Sequence, residues 1–167
     1  MKYVVFDIET TGLDTNNDSI VEIGAVKVID GIVIDTFSKL INPGKPIPYA
    51  ASSVNGITDE MVFDADLPGK VLYEFNQFIG DADFLLGHNA KRFDYPFVKS
   101  EFRRYFVKHN ELEIKDTMWI ARAKVKGIRS YSLKSLCSYF NVNNDDAHRA
   151  LSDAMATYQI FEELQKR

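Results

Sequence analysis

At 167 residues, with 46% hydrophobic and 26% charged side chains, the chain has the size and balance of one globular domain with a full core. A net charge of −4 argues against a protein that coats nucleic acid through bulk charge. It does not exclude a nuclease, because an acidic metal cluster becomes less negative once ions bind.

The opening stretch Lys2 to Leu13 reads KYVVFDIETTGL. Tyr3, Val4, Val5, Phe6 and Ile8 suit a buried strand. Two further strands are expected over Ile20 to Ile29 and Ile32 to Ile41, joined at Asp30-Gly31, which tolerate the positive φ of a tight primed turn. The segment from Asn42 to Thr58 contains Pro43, Gly44, Pro46 and Pro48 and reads as a loop, with Thr58 capping a short helix through Met61. Val71, Leu72, Phe75, Phe78 and Ile79 keep helical spacing up to Gly80. Phe84-Leu85-Leu86 is a short buried strand. The next helix has Pro96 in its first turn and an apolar face of Phe97, Val98, Phe102, Tyr105 and Phe106. A strand over Leu112 to Lys115, a helix over Asp116 to Lys124, a basic turn to Tyr131 and a helix face of Leu133, Leu136, Cys137 and Phe140 follow. The last helix is the clearest, with Leu151, Ala154, Met155, Tyr158, Phe161 and Leu164 in register and Asp145 or Asp146 as its cap. Strands first, then alternating helices and strands, predict an α/β layered fold in one domain over residues 1–167.

Several acids stand out. On a strand, residues two apart share a face, so Asp7 and Glu9 leave one side of the opening strand together. Like charges at the rim of a core repel and resist desolvation, and oxygen-ligated hard cations such as Mg2+ or Mn2+ relieve both costs. The plainer alternative is a solvated strand end. Asp94 sits near a helix N-terminus, where the dipole favours a carboxylate. Asp153 shares a helix face with Ala150 and Ala154, small neighbours that permit close approach. His148, five residues earlier, would diverge from Asp153 by about 140° on one continuous helix, so it is expected in the preceding loop. Four acids can hold two divalent ions over a phosphodiester, and a histidine titrates in the range needed to take a proton from water.

The pattern resembles the DEDDh group of 3′–5′ exonucleases within the ribonuclease H-like superfamily. The motifs are Phe6-Asp7-Ile8-Glu9-Thr10-Thr11-Gly12-Leu13, then His88-Asn89 with Phe93-Asp94, then His148-Arg149-Ala150-Leu151-Ser152-Asp153-Ala154 in the H-x-A-x-x-D form. Gly56-Ile57-Thr58, Asp116-Thr117 and Leu133 to Phe140 also look like the family, so the resemblance covers nearly the whole chain. The greatest similarity is to exonuclease domains of the proofreading subunit of bacterial replicative DNA polymerase.

The resemblance implies a mixed central sheet, its second strand antiparallel to the others, flanked by helices. It implies that Asp7, Glu9, Asp94 and Asp153 bind two Mg2+ or Mn2+ ions and that His148 is the general base. Thr10, Thr11, Gly12 and Leu13 would meet the 3′-terminal nucleotide, with Leu13 as a wedge against its base. Asn55 and Asn89 are further candidate substrate contacts, although His88 and Asn89 are read first as holding the turn before Asp94. The partners implied are a nucleic-acid 3′ end, single-stranded DNA ahead of RNA, and a DNA polymerase subunit. Two features depart from the family: Asn55 stands where a histidine is common, and Ala90-Lys91-Arg92 adds one residue between Asn89 and Phe93, presenting Lys91 or Arg92 to a phosphate.

Other readings use fewer of these residues. An exoribonuclease or scavenger of short oligonucleotides would share the same chemistry. A phosphatase with Asp7 as nucleophile leaves Asp94, His148 and Asp153 without a job. A docking module for a replicase would not need the acids at all. Lys91, Arg92, Lys99, Arg103, Arg104, Lys124, Lys126 and Arg129 are candidates for a backbone track, with Tyr131 beside them, or else ordinary solvated charges. His109 reads as a surface residue. One cysteine, Cys137, excludes an intrachain disulfide and a zinc–cysteine site, and its neighbours suggest a buried apolar role. No apolar run approaches the ~20 residues that cross a membrane, and the start lacks a secretory pattern. A bacterial-type cytoplasmic protein is expected.

Overall fold

The computed structural model describes residues 1–167. Strand β1 (Lys2–Thr10) is central in a five-stranded sheet. It is flanked by β2 (Ile20–Ile29), then β3 (Ile32–Leu40), on one side and by β4 (Phe84–Gly87), then β5 (Glu113–Asp116), on the other. Only β2 runs against the rest, as the resemblance implies. The β2–β3 turn is the expected one: Asp30 and Gly31 both have positive φ, 50° and 77°.

Period-two alternation along β1 divides the core. Val4, Phe6 and Ile8 point to one face, against helix α3 (Pro68–Ile79) and helix α4 (Asp94–Arg104) through Leu72, Phe75, Phe97 and Phe102. Tyr3 and Val5 point to the other face, against Ala154 and Phe161 of helix α7 (Ala150–Gln165). Asp7 and Glu9 follow the second set, so strand geometry alone aims both carboxylates at α7. Helix α5 (Thr117–Lys124) and helix α6 (Leu133–Phe140) pack behind α7 around Leu136 and Ile160. Cys137 is buried in that layer, as read from its neighbours.

The Asn42 to Thr58 segment is not a plain loop. Helix α1 spans Tyr49–Asn55, with Pro48 before its first residue and Gly56 after its last at φ 70°. The prolines precede the helix rather than interrupt it, which is where proline is tolerated, and a left-handed glycine closes it. Helix α2 (Asp59–Val62) begins as expected, the Thr58 hydroxyl accepting from the Met61 N–H, a cap worth about 1 kcal/mol. Three smaller expectations also fail. Phe106 lies beyond α4 and is 93% exposed rather than on its apolar face. His109 is half-buried, its ring 4.7 Å from that of Phe102. Neither Asp145 nor Asp146 caps α7, whose first N–H, that of Ala150, is met by Glu22 of β2 instead.

Candidate active site

The site forms at the carboxyl end of β1, where strands of such sheets present ligands. Pairing of β1 with β4 stops at Val5 and Leu86, so β1 projects beyond its neighbour. The Ile8 N–H is then free to donate to Asp94 Oδ1 at 3.2 Å. That bond fixes a buried carboxylate from α4 beside Asp7 and Glu9. From the other face, α7 delivers Asp153. Carboxylate oxygens of Asp7, Glu9 and Asp153 lie within 4.8 Å of one another.

The approach of α7 depends on a residue the sequence did not single out. Gly24 of β2 lies opposite Asp7, and a Cβ there would overlap the backbone of Ala150 and Leu151. Glu22, opposite Glu9, was also missed. It is 2% exposed, accepts from Arg149 Nη2 at 2.7 Å and from the Ala150 N–H at 2.8 Å, and thereby ties the start of α7 to the sheet. The available signal was an acid inside an otherwise apolar strand, IVEIGAVKVI. Asn144 was missed with no signal at all, lying in a polar loop. Its Nδ2 donates to Asp153 Oδ1 at 2.7 Å, while its Oδ1 accepts from Ser152.

His148 lies in the loop before α7, as expected, at φ 68°, and is exposed. Its N–H donates to Asp153 Oδ2 at 3.1 Å, which offsets a left-handed conformation costing about 1–2 kcal/mol. A cavity of about 520 Å³ is lined by both His148 and Asp153. Asn89 also has positive φ, 58°, a conformation asparagine tolerates. The Asp116 carboxylate accepts from the N–H groups of Asn89, Lys91 and Met118, and His88 Nδ1 meets the Thr117 hydroxyl at 2.8 Å. His88 and Asn89 therefore brace the turn before Asp94.

The other candidates line a groove of about 390 Å³ running from Ile8 to Leu13 and across Ala50, Ala51, Val54, Asn55 and Phe93. Thr10 and Thr11 are buried, and Leu13 is 84% exposed. Thr11 Oγ1 donates to Asp18, whose carboxylate packs where a Gly12 Cβ would stand. Buried Asn55 bridges the Thr10 carbonyl and the Ile57 N–H, so it holds the wall of this groove.

Electrostatics marks the cluster out. Burial, then repulsion from Asp94, Asp153 and Glu9, holds Asp7 well above the ordinary carboxylate range. Burial pushes Glu9 up to about 8 and Asp94 up to about 7, the latter despite the Ile8 N–H. Burial also raises Asp153. No lysine or arginine forms an ion pair with these four acids; Arg149 is paired with Glu22 and only partly offsets the repulsion at Glu9. A converging set of oxygen donors with excess negative charge fits hard divalent cations, and does not fit a soft or thiolate-bound metal.

A family model described as Exonuclease matches residues 4–161. The chain belongs to the exonuclease family. Relatives of this exonuclease domain include the PolC-type DNA polymerase III of Caldanaerobacter subterraneus subsp. tengcongensis, 41% identical over 160 residues, and that of Bacillus subtilis, 36% identical over 165. These alignments take in 96% and 98% of the domain but 11% of each polymerase, so the chain spans about a tenth of the length of the curated relatives it matches. Among solved structures, exonuclease I matches with a TM-score of 0.89 at 20% identity, over 99% of this domain and 41% of that chain. Exonuclease X, solved in complex with 5′ overhanging duplex DNA, matches with a TM-score of 0.76 at 28% identity, over 98% and 91%. The mixed sheet is shared with exonuclease I, and the three motifs are those by which the sequence resembles the DEDDh group. No helix is long and apolar enough to cross a membrane.

Proposed function

We propose that this domain is a 3′–5′ exonuclease that releases 5′ mononucleotides stepwise from single-stranded DNA, serving a DNA polymerase in the cytoplasm. The observation that carries the reading is the convergence of Asp7, Glu9 and Asp153 oxygens within 4.8 Å, with Asp94 fastened beside them by the Ile8 N–H. The PolC-type relatives support the link to a polymerase, and the duplex DNA bound by exonuclease X supports DNA as the nucleic acid.

Asp7, Glu9, Asp94 and Asp153 would hold two Mg2+ or Mn2+ ions. Bound there, such ions supply Lewis-acid polarisation of a phosphodiester and charge compensation for its departing oxygen. The protein's own groups do the rest. The groove from Thr10 to Leu13 receives the terminal nucleotide, its apolar wall at Ala51, Val54 and Phe93 taking the base. Exposed Leu13 packs on the neighbouring base and separates it from the last one. Asn55 keeps that wall in place, and Asn89, a further candidate contact to the substrate, holds the turn before Asp94. His148 takes the proton from the attacking water, on a loop that its own N–H anchors to Asp153.

The test is digestion of matched 5′-labelled DNA and RNA strands with Mg2+ or Mn2+, in parallel with His148→Gln. DNA should shorten from its 3′ end, chelator should stop it, and His148→Gln should lower kcat by about 10²-fold with little change in KM. Faster digestion of RNA would reassign the substrate. A His148→Gln enzyme as fast as wild type would remove that residue from the chemistry.

A further inference from the structure

The chain is acidic overall, yet residues 91–134 carry 12 of its 20 Lys+Arg and only 5 of its 24 Asp+Glu. Lysines and arginines elsewhere commonly meet carboxylates, as Lys2, Lys70 and Arg149 do. Within the basic stretch, Lys99 and Arg104 are also paired, but exposed Lys91, Arg92 and Arg122 form no ion pair. Two of these three lie over aromatic rings instead. The Arg92 guanidinium is 5.3 Å from the centre of the Trp119 ring, and that of Arg122 is 5.9 Å from Tyr131. Trp119 and Arg122 are three apart on α5 and so share its outer face, and Trp119 is 47% exposed.

This surface is fixed to the carboxylate cleft. Arg92 precedes Asp94 by two residues. The buried Asp116 carboxylate caps α5 through the Met118 N–H and holds the Asn89–Lys91 turn through two more N–H groups, so turn and helix form one unit. Unneutralised cations alternating with aromatic planes suit a flexible polyanion that carries stackable rings. An acidic peptide would use the cations and leave the planes idle.

We propose that the turn before α4 and the outer face of α5 form a track for the single-stranded DNA on the 5′ side of the reacting nucleotide. Lys91, Arg92 and Arg122 meet its phosphates, and Trp119 and Tyr131 take its bases. The proposal deepens the reading of the cleft as a 3′-end site and rests on it for the direction of the strand. It makes binding depend on strand length, which a pocket for the terminal nucleotide alone would not.

Trp119 is the only tryptophan in the chain, so its emission reports on this surface. The full chain, in EDTA to prevent hydrolysis, is titrated with a labelled oligothymidylate of about twelve nucleotides and with a dinucleotide, reading Trp119 emission and label anisotropy together. The longer strand should quench Trp119 and the dinucleotide should not. Arg92→Ala with Arg122→Ala should weaken binding of the longer strand about tenfold and flatten its log–log salt dependence by ~1.4, two phosphate contacts' worth. Lys70→Ala with Lys166→Ala, on other surfaces, should change neither. Unaltered Trp119 emission when anisotropy reports saturation, or a double variant that binds like wild type, would overturn the track. Hydrolysis with a silent Trp119 sinks the track and spares the cleft. A responding Trp119 in a protein that cuts no 3′ end sinks the cleft reading and leaves the DNA-binding surface standing without its direction.

Discussion

Two sets of buried acids lie side by side in this molecule, and they are treated in opposite ways. Glu22 and Glu101 are each almost wholly buried, and each has an arginine: Arg149 for the first, Arg104 for the second. Asp7 and Glu9 lie on the strand beside Glu22, Asp94 and Asp153 converge on them, and none of the four forms an ion pair with a lysine or arginine. Each of the first set has a cation of its own, and Glu22 also ties α7 to the sheet. The second is left with a charge deficit that only something from outside the chain can correct. A fold that supplies arginine to one carboxylate and pairs none with its four neighbours matches the proposal that cations from solution occupy the second place.

The comparison is broken most directly at Asp7. Asp7→Asn should reduce the rate of DNA hydrolysis by roughly 10³-fold or more, yet raise the melting temperature in EDTA, because it removes a charge that burial opposes. Loss of both activity and stability would mean that Asp7 is compensated after all. At the paired acids the sign reverses. Arg149→Met leaves Glu22 buried without its cation and should cost about 3 kcal/mol in urea unfolding, with Glu22→Gln in the same chain restoring much of it. A neutral Arg149→Met would place the two sets in one class.

Smaller effects sharpen the contrast. Asn144→Ala frees Asp153 Oδ1 from its only side-chain donor and should weaken Mn2+ affinity about tenfold, read by calorimetry, without unfolding the domain. The last effect concerns pH. Folded Glu9 at about 8 and Asp94 at about 7 keep protons that the unfolded chain gives up near pH 4. The folded state therefore binds more protons between these limits, and the melting temperature in EDTA should fall steadily from pH 5 to pH 8.5. Mg2+ or Mn2+ should raise the melting temperature more at pH 8 than at pH 5. An equal rise at both would show that the ions do not replace protons at these acids.

Much of this arrangement was legible in the residues because it is local. Alternation along Lys2–Thr10 aims Asp7 and Glu9 together, Asp30-Gly31 turns the hairpin, and the apolar period of the last helix places Asp153 on a buried face. What escaped was set by contacts between distant segments. Helix α1 was obscured by three prolines that stand before it, although Pro48 and Gly56 bracket it by ordinary rules. The cap of α7 comes from Glu22, 128 residues away from the Ala150 it serves, and no local pattern announces it. Asn144 looks like any loop asparagine until Asp153 is placed beside it.

If the four acids hold ions as proposed, Gly24 bears on which ions they take. The gap between β2 and α7 is set by the absence of one methyl group, since any larger side chain there would collide with the backbone at Ala150 and Leu151. Three residues further along that helix hangs Asp153, while Asp7 belongs to β1, opposite Gly24. Gly24→Ala would act as a shim, lifting one jaw of the cage and leaving every ligand chemically intact. Preference would then drift from the small, geometrically exacting Mg2+ toward wider, more tolerant ions such as Mn2+ or Ca2+.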